Sequence, residues 1–352
     1  MNIGFFGGNF LKPLMNSLKK DGHHVKFNRF SNNTEIIISE SHFYTYDIYK
    51  ILKKIKKNKI PLINIILDIP PWRLQQQFKL NKLIYQIQQY LYHFKNRYSI
   101  PNRLFGYFKD KEKKDFITRL CLKIDNKFPN NFYLNRIFYQ INYRNLLKHS
   151  DLNLSISNFT RICVKKFLKI DSQIWYPGVN SDVLENIPKS SKIKYDAINI
   201  SRIAKNKRQD IFANAANKLG LKIAVIGENL DKNIVLNCPN FYVKEYRELM
   251  EILNQVRFYV DPSEFEGFGL TPVEAVFLNK PVIASNTYVH REILGEYPIY
   301  FKTNHVEDLV EKMKLVINGQ YTPKKEIAKM LMKKYSLKAA KSRLLKHIES
   351  IL

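Results

Sequence analysis

The sequence predicts an α/β protein made of two doubly wound lobes. Short apolar runs alternate with longer stretches of helical periodicity, a pattern typical of parallel βαβ units. The alternation occurs twice, over residues 1–67 and again from residue 195 to about residue 333, and turn residues in Val179–Lys194 separate the two series. A chain of 352 residues is long enough for two such lobes.

Four strands are expected in the first series. The candidates are Asn2–Phe6, Val25–Phe27, Glu35–Ser39 and Leu62–Leu67, with a helix at Phe10–Lys20. A second helix is indicated by apolar residues at i, i+3, i+4 and i+7, namely Ile48, Ile51, Leu52 and Ile55. Leu152–Ser157 returns to strand character after an interruption over residues 73–148.

Residues 73–148 carry 16 basic, 4 acidic and 16 aromatic residues, and long helices such as Leu80–Phe94 fit them best. Lysines also follow one face of the helix around Ile51. Such basic, aromatic helices indicate either contact with an anionic membrane surface or ordinary amphipathic helices that cover the first lobe.

The second series predicts five strands and five helices. Its strands are Ala197–Ile200, Lys222–Ile226, Phe258–Val260, Pro281–Ala284 and Ile299–Phe301. Its helices are Gln209–Lys218, Tyr246–Gln255, Thr271–Leu278, Val306–Asn318 and Pro323–Lys333. In open parallel sheets, ligands bind at the carboxyl ends of the strands, so loops that follow strands are the candidate sites.

The composition narrows the class of protein. Lys and Arg number 58 against 31 Asp and Glu, a net charge of +27, which favours anionic partners or reflects compositional bias. Three widely spaced cysteines predict neither a disulfide framework nor a metal site. No apolar run is long enough to span a bilayer, and the amino terminus lacks a basic leader region, so we expect a cytoplasmic protein, peripheral on the membrane at most.

The most informative segment is 261–275, with the sequence DPSEFEGFGLTPVEA. Gly267 and Gly269 allow a ligand to approach the backbone closely, and the amides of Gly269, Leu270 and Thr271 open a helix and would attract an anion. Two carboxylates eight residues apart, Glu266 on the loop and Glu274 on the helix, could accept hydrogen bonds from two hydroxyl-bearing parts of one ligand.

A second constellation follows the strand at Ala197–Ile200. Arg202 and Lys207 could bracket a diphosphate and neutralise charge on a leaving group. A third is the pair Gly7–Gly8 after the first strand, a turn found in many βα units.

The glutamate segment, together with Lys280–Ser285 and Glu292, resembles the signature of glycosyltransferase family 4, whose members are retaining enzymes with the GT-B fold. The family pattern places seven residues between two glutamates, as here between Glu266 and Glu274. The resemblance implies that Glu266 contacts the donor sugar and that Glu274 holds the ribose of the nucleotide. It also implies that the amides of Gly269, Leu270 and Thr271 contact the sugar and diphosphate.

The same resemblance extends to the other two motifs. Residues 201–208 are similar to a Gly-Arg to Lys-Gly element of the family, with Ser201 and Arg208 at the glycine positions. Gly7 and Gly8 are similar to a glycine loop that approaches the diphosphate from the first lobe. Many relatives carry a His-Asp pair after a strand of the first lobe, where this chain has Leu67 and Asp68.

These observations predict an α/β GT-B fold with two Rossmann-like lobes facing a central cleft. The predicted domains are 1–185, an acceptor-side lobe that includes 73–148, then 186–335, a lobe for the nucleotide-sugar, and 336–352, a carboxyl-terminal helix that could pack on the first lobe. We predict Glu266, Arg202 and Lys207 as catalytic residues and Asp68 and His42 as candidates for an acceptor or sugar pocket.

The predicted activity is retaining transfer of a sugar from a nucleotide-diphosphate donor to a glycan or lipid-linked acceptor, without metal or other cofactor. No Asp-x-Asp pair occurs in the chain, which favours a metal-independent site built on Arg and Lys. The alternatives are another sugar-nucleotide enzyme of this fold, an epimerase or phosphorylase, or a basic nucleic-acid-binding protein. A nucleic-acid-binding protein would not account for Glu266 and Glu274 around a glycine loop, and no nucleic acid is expected as a partner.

Overall fold

Two six-stranded parallel sheets organise the chain, one in each of two compact units. The structure is a computed structural model that describes residues 1–8, 10–40, 45–67, 143, 145–188, 192–229 and 234–352. The first unit consists of residues 1–154, 163–173 and 351–352, and the second consists of residues 155–162 and 174–350.

The first sheet has the strand order β2-β1-β3-β4-β5-β6. Its strands are β1 (Asn2–Phe6), β2 (His24–Phe27), β3 (Ile36–Glu40), β4 (Leu62–Ile66), β5 (Leu152–Ser155) and β6 (Gln173–Ile174). Helices α1 (Lys12–Lys20) and α2 (Thr45–Asn58) lie between the early strands. After β5 come α3 (Asn158–Cys163) and a π-helical turn, Val164–Leu168.

The second sheet has the strand order β12-β11-β10-β7-β8-β9. Its strands are β7 (Tyr195–Ile200), β8 (Ile223–Ile226), β9 (Asn240–Phe241), β10 (Val256–Asp261), β11 (Val282–Ser285) and β12 (Ile299–Phe301). The helices of this part are α4 (Ser181–Leu184), α5 (Gln209–Lys218), α6 (Tyr246–Asn254), α7 (Leu270–Phe277), α8 (Tyr288–Leu294), α9 (Val306–Ile317), α10 (Lys325–Tyr335) and α11 (Leu337–Glu349).

Each sheet buries an apolar core of its own. In the first unit, Ile37, Leu62 and Ile66 on the strands pack with Leu146 and Val164. In the second, Phe212 on α5 and Met313 on α9 pack against Phe258 and Val260 on β10. Fully buried strands in parallel sheets read as continuous apolar runs, and for this reason the sequence predicted most of them.

The strand order also fixes where ligands can bind. In the second sheet, β7 and β10 are neighbours, and the chain winds outward from them in both directions. In the first sheet, β1 and β3 occupy the equivalent position. Crevices form at such switch points. Within the second sheet the loops after β7 and β10 are therefore brought together, and within the first sheet the loops after β1 and β3.

The predicted α/β fold with parallel sheets is confirmed, with strand ends displaced by one or two residues. The sequence did not predict the two-residue strands β6 and β9 or the short helices α3, α4 and α8. Two-residue strands have no readable periodicity, and these helices have only four to seven residues. Thr287 caps helix α8: it precedes the first helical residue, and its side chain accepts the backbone N–H of His290 at 3.2 Å.

The division into compact units is not at the same place as the predicted domain boundary at residue 185. Residues Ile174–Ser350 belong to the second unit, together with residues 155–162. Trp175 is fully buried, and its indole Nε1 donates to the Ala340 carbonyl on α11 at 3.1 Å. Arg343 donates to the Tyr176 carbonyl at 2.8 Å. Helix α11 is thus part of the second unit, and the domains predicted from the sequence stay a prediction.

Candidate functional site

The loop after β10 and the turn after β7 meet through an ion pair. Lys207 Nζ contacts Glu266 Oε1, and only about a tenth of either side chain is exposed, 10% and 14%. A charge this far from water needs its partner, because an unpaired buried charge is costly. Two residues predicted from separate motifs are therefore neighbours at the switch point of the second sheet.

Glu274 lies on α7 and is 6% exposed. Its carboxylate accepts a hydrogen bond from the Tyr246 hydroxyl at 2.8 Å. Burial raises the pKa of Glu274 to about 7, although the hydrogen bond from Tyr246 acts in the opposite direction and lowers the pKa. A carboxylate with a single phenol donor keeps acceptor capacity for further hydroxyl groups.

Helix α7 begins directly after Gly269, which has φ of 83°. This left-handed conformation favours glycine and turns the chain so that Leu270 and Thr271 open the helix. The first amides of a helix are unsatisfied and carry partial positive charge. Gly269, Leu270 and Thr271 thus lie where the sequence predicted an anion-binding helix terminus.

Arg202 and Lys207 occupy different surroundings. Lys207 is buried, whereas the Arg202 side chain is exposed in the same turn. The backbone carbonyl of Arg202 accepts from Gln209 at 2.9 Å, which anchors the turn to the start of α5. The structure therefore places both predicted cations after β7, and the Lys207 side chain pairs with Glu266.

Arg208 explains one departure from the family pattern. It stands at a position where the pattern has glycine, and its φ of 49° is in the left-handed region. Its guanidinium donates to Glu264 at 2.7 Å and to Asp210 at 3.0 Å. These ion pairs stabilise a conformation that costs about 1–2 kcal/mol for a non-glycine residue.

A second buried pair lies behind the loop. Asp261, the last residue of β10, is 4% exposed, and His290 on α8 is fully buried. The His290 Nε2 atom lies 3.7 Å from Asp261 Oδ2. The nearby charge of His290 holds the pKa of Asp261 below its ordinary value, although burial, the largest single influence, would raise it.

The glycine loop of the first unit lies against an unpredicted carboxylate. Glu40, the last residue of β3, is 1% exposed, and its Oε2 has no hydrogen-bond partner among the described residues. Burial raises the pKa of Glu40 to about 7, against backbone hydrogen bonds from Leu11 and Gly8, which lower it. Gly7 donates its N–H to Asn28 Oδ1 at 3.2 Å.

Gly7 and Gly8 differ in the space around them, which leads to a paired prediction. A Cβ at Gly7 would lie 2.0 Å from the Phe5 ring and 2.8 Å from Glu40 Oε2, whereas one at Gly8 would come no closer than 3.4 Å to Glu40. We expect Gly7→Ala to destabilise the protein by about 1–3 kcal/mol through overpacking. Gly8→Ala, the matched control, should cost under about 1 kcal/mol. Urea unfolding measures both, and equal costs would contradict this packing.

Sequence reasoning missed Tyr246, Asp261, His290 and Glu40 as residues of these sites. Asp261 and Glu40 each close an apolar strand with an acidic residue, a signal that could have identified them. Tyr246 and His290 gave no such signal, because their partners lie far away in the sequence. The predicted pocket residues Asp68 and His42, and region 73–148 except for 143 and 145–148, lie outside the described residues.

In the described part of the chain, no group of three or more His, Cys, Asp or Glu residues is arranged to hold a metal ion. Within the same ranges, no helix has the length and apolarity needed to cross a membrane.

Comparison with known proteins identifies the class. Residues 182–334, which carry the Lys207–Glu266 pair and Glu274, match the sequence model of the family described as glycosyl transferases group 1. The matched residues lie within the second unit and make up less than half of the chain.

Individual relatives agree with this class. The chain is 27% identical over 205 residues to an uncharacterized glycosyltransferase of Methanocaldococcus jannaschii, an alignment that covers 53% of this chain and 56% of the relative. The chain therefore spans little more than half the length of this curated relative.

Solved structures establish the fold. Sucrose-phosphate synthase from Thermosynechococcus elongatus superposes with a TM-score of 0.67 at 10% identity, covering 100% of this chain and 99% of the synthase. Anabaena HepE, solved in complex with UDP-glucose, gives a TM-score of 0.61 at 11% identity, covering 99% and 100%. The fold of this chain is GT-B, as predicted.

Proposed function

We propose that this protein transfers a sugar from a nucleotide-diphosphate donor to a glycan or lipid-linked acceptor, with retention at the anomeric carbon and without a metal ion. One observation carries the proposal. A buried carboxylate with spare acceptor capacity, Glu274, and the buried pair of Lys207 with Glu266 flank one helix terminus in a group 1 glycosyltransferase domain.

The donor is proposed to bind along α7 and the turn after β7. Glu274 would accept hydrogen bonds from the two ribose hydroxyls, which suits an oxygen-rich side chain without donors of its own. Arg202 and Lys207 would neutralise the diphosphate, and the amides from Gly269 to Thr271 would add dipolar stabilisation. UDP-glucose bound to HepE is a precedent for this class of donor in the fold.

The reaction is proposed to occur on one face of the sugar. The bond between the anomeric carbon and the phosphate oxygen breaks, and a bond to the acceptor oxygen forms on the same face. The acceptor proton moves to the departing phosphate oxygen. The protein contributes positioning and charge stabilisation, with Glu266 on the sugar hydroxyls and Lys207 at the leaving group.

The acceptor and the location in the cell are further parts of the proposal. Exposed lysines on and beside α2, including Lys53, Lys57 and Lys59, support contact with an anionic membrane surface at the cytoplasmic face. Flotation with liposomes of increasing anionic lipid content measures this directly. Binding that does not depend on the anionic lipid fraction would remove this part of the proposal.

A donor panel tests the main proposal. The protein is mixed with UDP-, GDP- and ADP-sugars, and the thermal midpoint is measured. A donor at one hundred times its dissociation constant should add about 2.7 kcal/mol of stability, which is several degrees. Stabilisation by one nucleotide class supports the proposal, and the absence of stabilisation by all of them contradicts it.

A further inference from the structure

The buried histidine behind the loop has an unusual hydrogen-bond environment. His290 Nδ1 lies 2.8 Å from the Ser285 carbonyl oxygen. The Nε2 atom lies 3.7 Å from Asp261 Oδ2, too far for a hydrogen bond, and has no hydrogen-bond partner among the described residues. The ring is fully excluded from solvent.

These contacts place a proton on Nδ1 of the ring. The Ser285 carbonyl oxygen only accepts, and the Ser285 hydroxyl, 3.2 Å from Nδ1, gives its hydrogen to the Ser263 carbonyl, so Nδ1 is the donor. If the ring were neutral, the bare lone pair of Nε2 would then face a carboxylate oxygen. If the ring is an imidazolium, Nε2–H faces that carboxylate instead, which is attractive in a buried site.

The surrounding charges agree with this assignment. Burial, the largest single influence, lowers the pKa of His290, but the charges of Asp261 and Glu266 and the Ser285 carbonyl together raise it above its ordinary value. The Tyr300 hydroxyl donates to the His290 carbonyl at 3.0 Å, and Lys207 faces Asp261 from the turn after β7.

We propose that His290 is a charged positioning residue, which holds the start of the 261–269 loop through Asp261 and keeps the surrounding charge cluster neutral. The part of this proposal that concerns donor binding rests on the proposed function. His290 acts through Asp261 and the loop and does not need to contact the substrate.

The first half of this role is mechanical. Asp261 Oδ1 accepts the N–H of Ser263 at 3.1 Å, and the Ser285 hydroxyl donates to the Ser263 carbonyl at 2.5 Å. His290 contacts both Asp261 and Ser285. A Cβ at Gly269, at the other end of the loop, would lie 3.9 Å from the His290 ring. Loss of the imidazolium should therefore loosen the segment that carries Glu266.

The second half is electrostatic. Lys207 and His290 supply two positive charges, and Asp261 and Glu266 supply two negative charges. A neutral His290 would leave one net negative charge beside the amides that are proposed to receive a diphosphate. At the separations found inside a protein, that charge should weaken diphosphate binding roughly tenfold.

Two variants together separate the charge from the packing. His290→Asn retains a side-chain N–H that can donate to Ser285 but removes Nε2, its charge and part of the buried ring. Asp261→Asn is isosteric: it keeps the His290 ring and an oxygen for Ser263 and removes only the charge that favours the imidazolium. His305→Asn is the matched control, because His305 is an exposed helix cap whose Nδ1 accepts the Asp308 N–H at 3.1 Å.

Histidine-selective ¹⁵N NMR measures the protonation state of the His290 ring. The resonances lost in His290→Asn should show two protonated ring nitrogens in the wild type at pH 7.5. Asp261→Asn should convert them to a neutral tautomer, and His305→Asn should leave them unchanged. A neutral His290 in the wild type at this pH would overturn the proposal.

Hydrogen exchange and nucleotide binding test whether His290 positions the 261–269 loop. In His290→Asn, amides of residues 263–269 should exchange at least tenfold faster, and affinity for the preferred nucleoside diphosphate should fall about tenfold. Unchanged exchange would overturn the positioning role. If the wild type binds no nucleoside diphosphate, the proposed function fails, and the NMR and exchange results still decide the role of His290.

Discussion

Glu274→Gln is expected to weaken nucleotide binding strongly while making the ligand-free protein more stable. Hydrogen bonds to a charged partner contribute about 1.5–3 kcal/mol each, so losing the charge beneath two ribose hydroxyls should weaken binding by ~10² or more. Gln can still accept from Tyr246, so the helix packing is kept. Isothermal titration with the preferred nucleoside diphosphate measures the loss.

The stability gain follows from the raised pKa of Glu274, about 7 against 4.5. Between these values the folded protein binds more protons than the unfolded chain, so stability falls as pH rises from about 4.5 through 7. At pH 8 the variant, which lacks this titration, should be more stable by about 1–3 kcal/mol. At pH 4.5 the difference should vanish.

Nucleotide affinity should rise with pH over the range in which the stability of the ligand-free protein falls. The ribose hydroxyls donate to the ionised form of Glu274, so wild-type affinity should rise roughly tenfold between pH 6 and 8. Tyr246→Phe is the matched control, since it retains the carboxylate and removes only its present donor. Nucleotide affinity in Glu274→Gln within threefold of the wild type would contradict the ribose assignment.

Lys207→Ala is expected to cost both turnover and stability. Loss of one preorganised charge at a leaving group typically lowers turnover by ~10²–10³. The same change leaves Glu266 unpaired with only 14% of its side chain exposed, which should destabilise the fold by about 3–5 kcal/mol. Steady-state kinetics and urea unfolding measure the two effects.

A double variant separates these effects. Lys207→Met with Glu266→Gln removes both charges, so the stability should return to within about 1 kcal/mol of the wild type. Turnover should stay at least ~10² lower, because the leaving-group cation is still absent. Wild-type turnover in either variant would contradict the role of Lys207. Arg202→Ala tests the exposed cation and should cost turnover without comparable loss of stability.

The sequence predicted the sheets well because buried parallel strands are continuous apolar runs, such as Leu62–Ile66. It placed Lys207 and Glu266 in one site because both follow strands of the same lobe, and the strand order brings those loops together. The order itself was not readable, since β7 and β10 pair across more than fifty residues.

Side-chain pairs that form only through tertiary packing could not be predicted from local sequence patterns. The Tyr246–Glu274 hydrogen bond joins two helices, and the Asp261–His290 pair joins a strand end to a helix that the sequence did not predict. The hydrogen bond from the Trp175 indole to Ala340 on α11 likewise joins residues far apart in the sequence.

The central claim is acceptor-dependent sugar transfer from a nucleotide donor at Lys207, Glu266 and Glu274. The most direct measurement is ¹H NMR of the donor identified by the panel, incubated with wild-type protein with and without a glycan acceptor mixture. We expect the donor anomeric signal to disappear only with acceptor, a product signal of the same anomeric configuration to appear, and neither change to occur with Glu274→Gln. Donor conversion without acceptor, or equal turnover by the variant, would contradict the account.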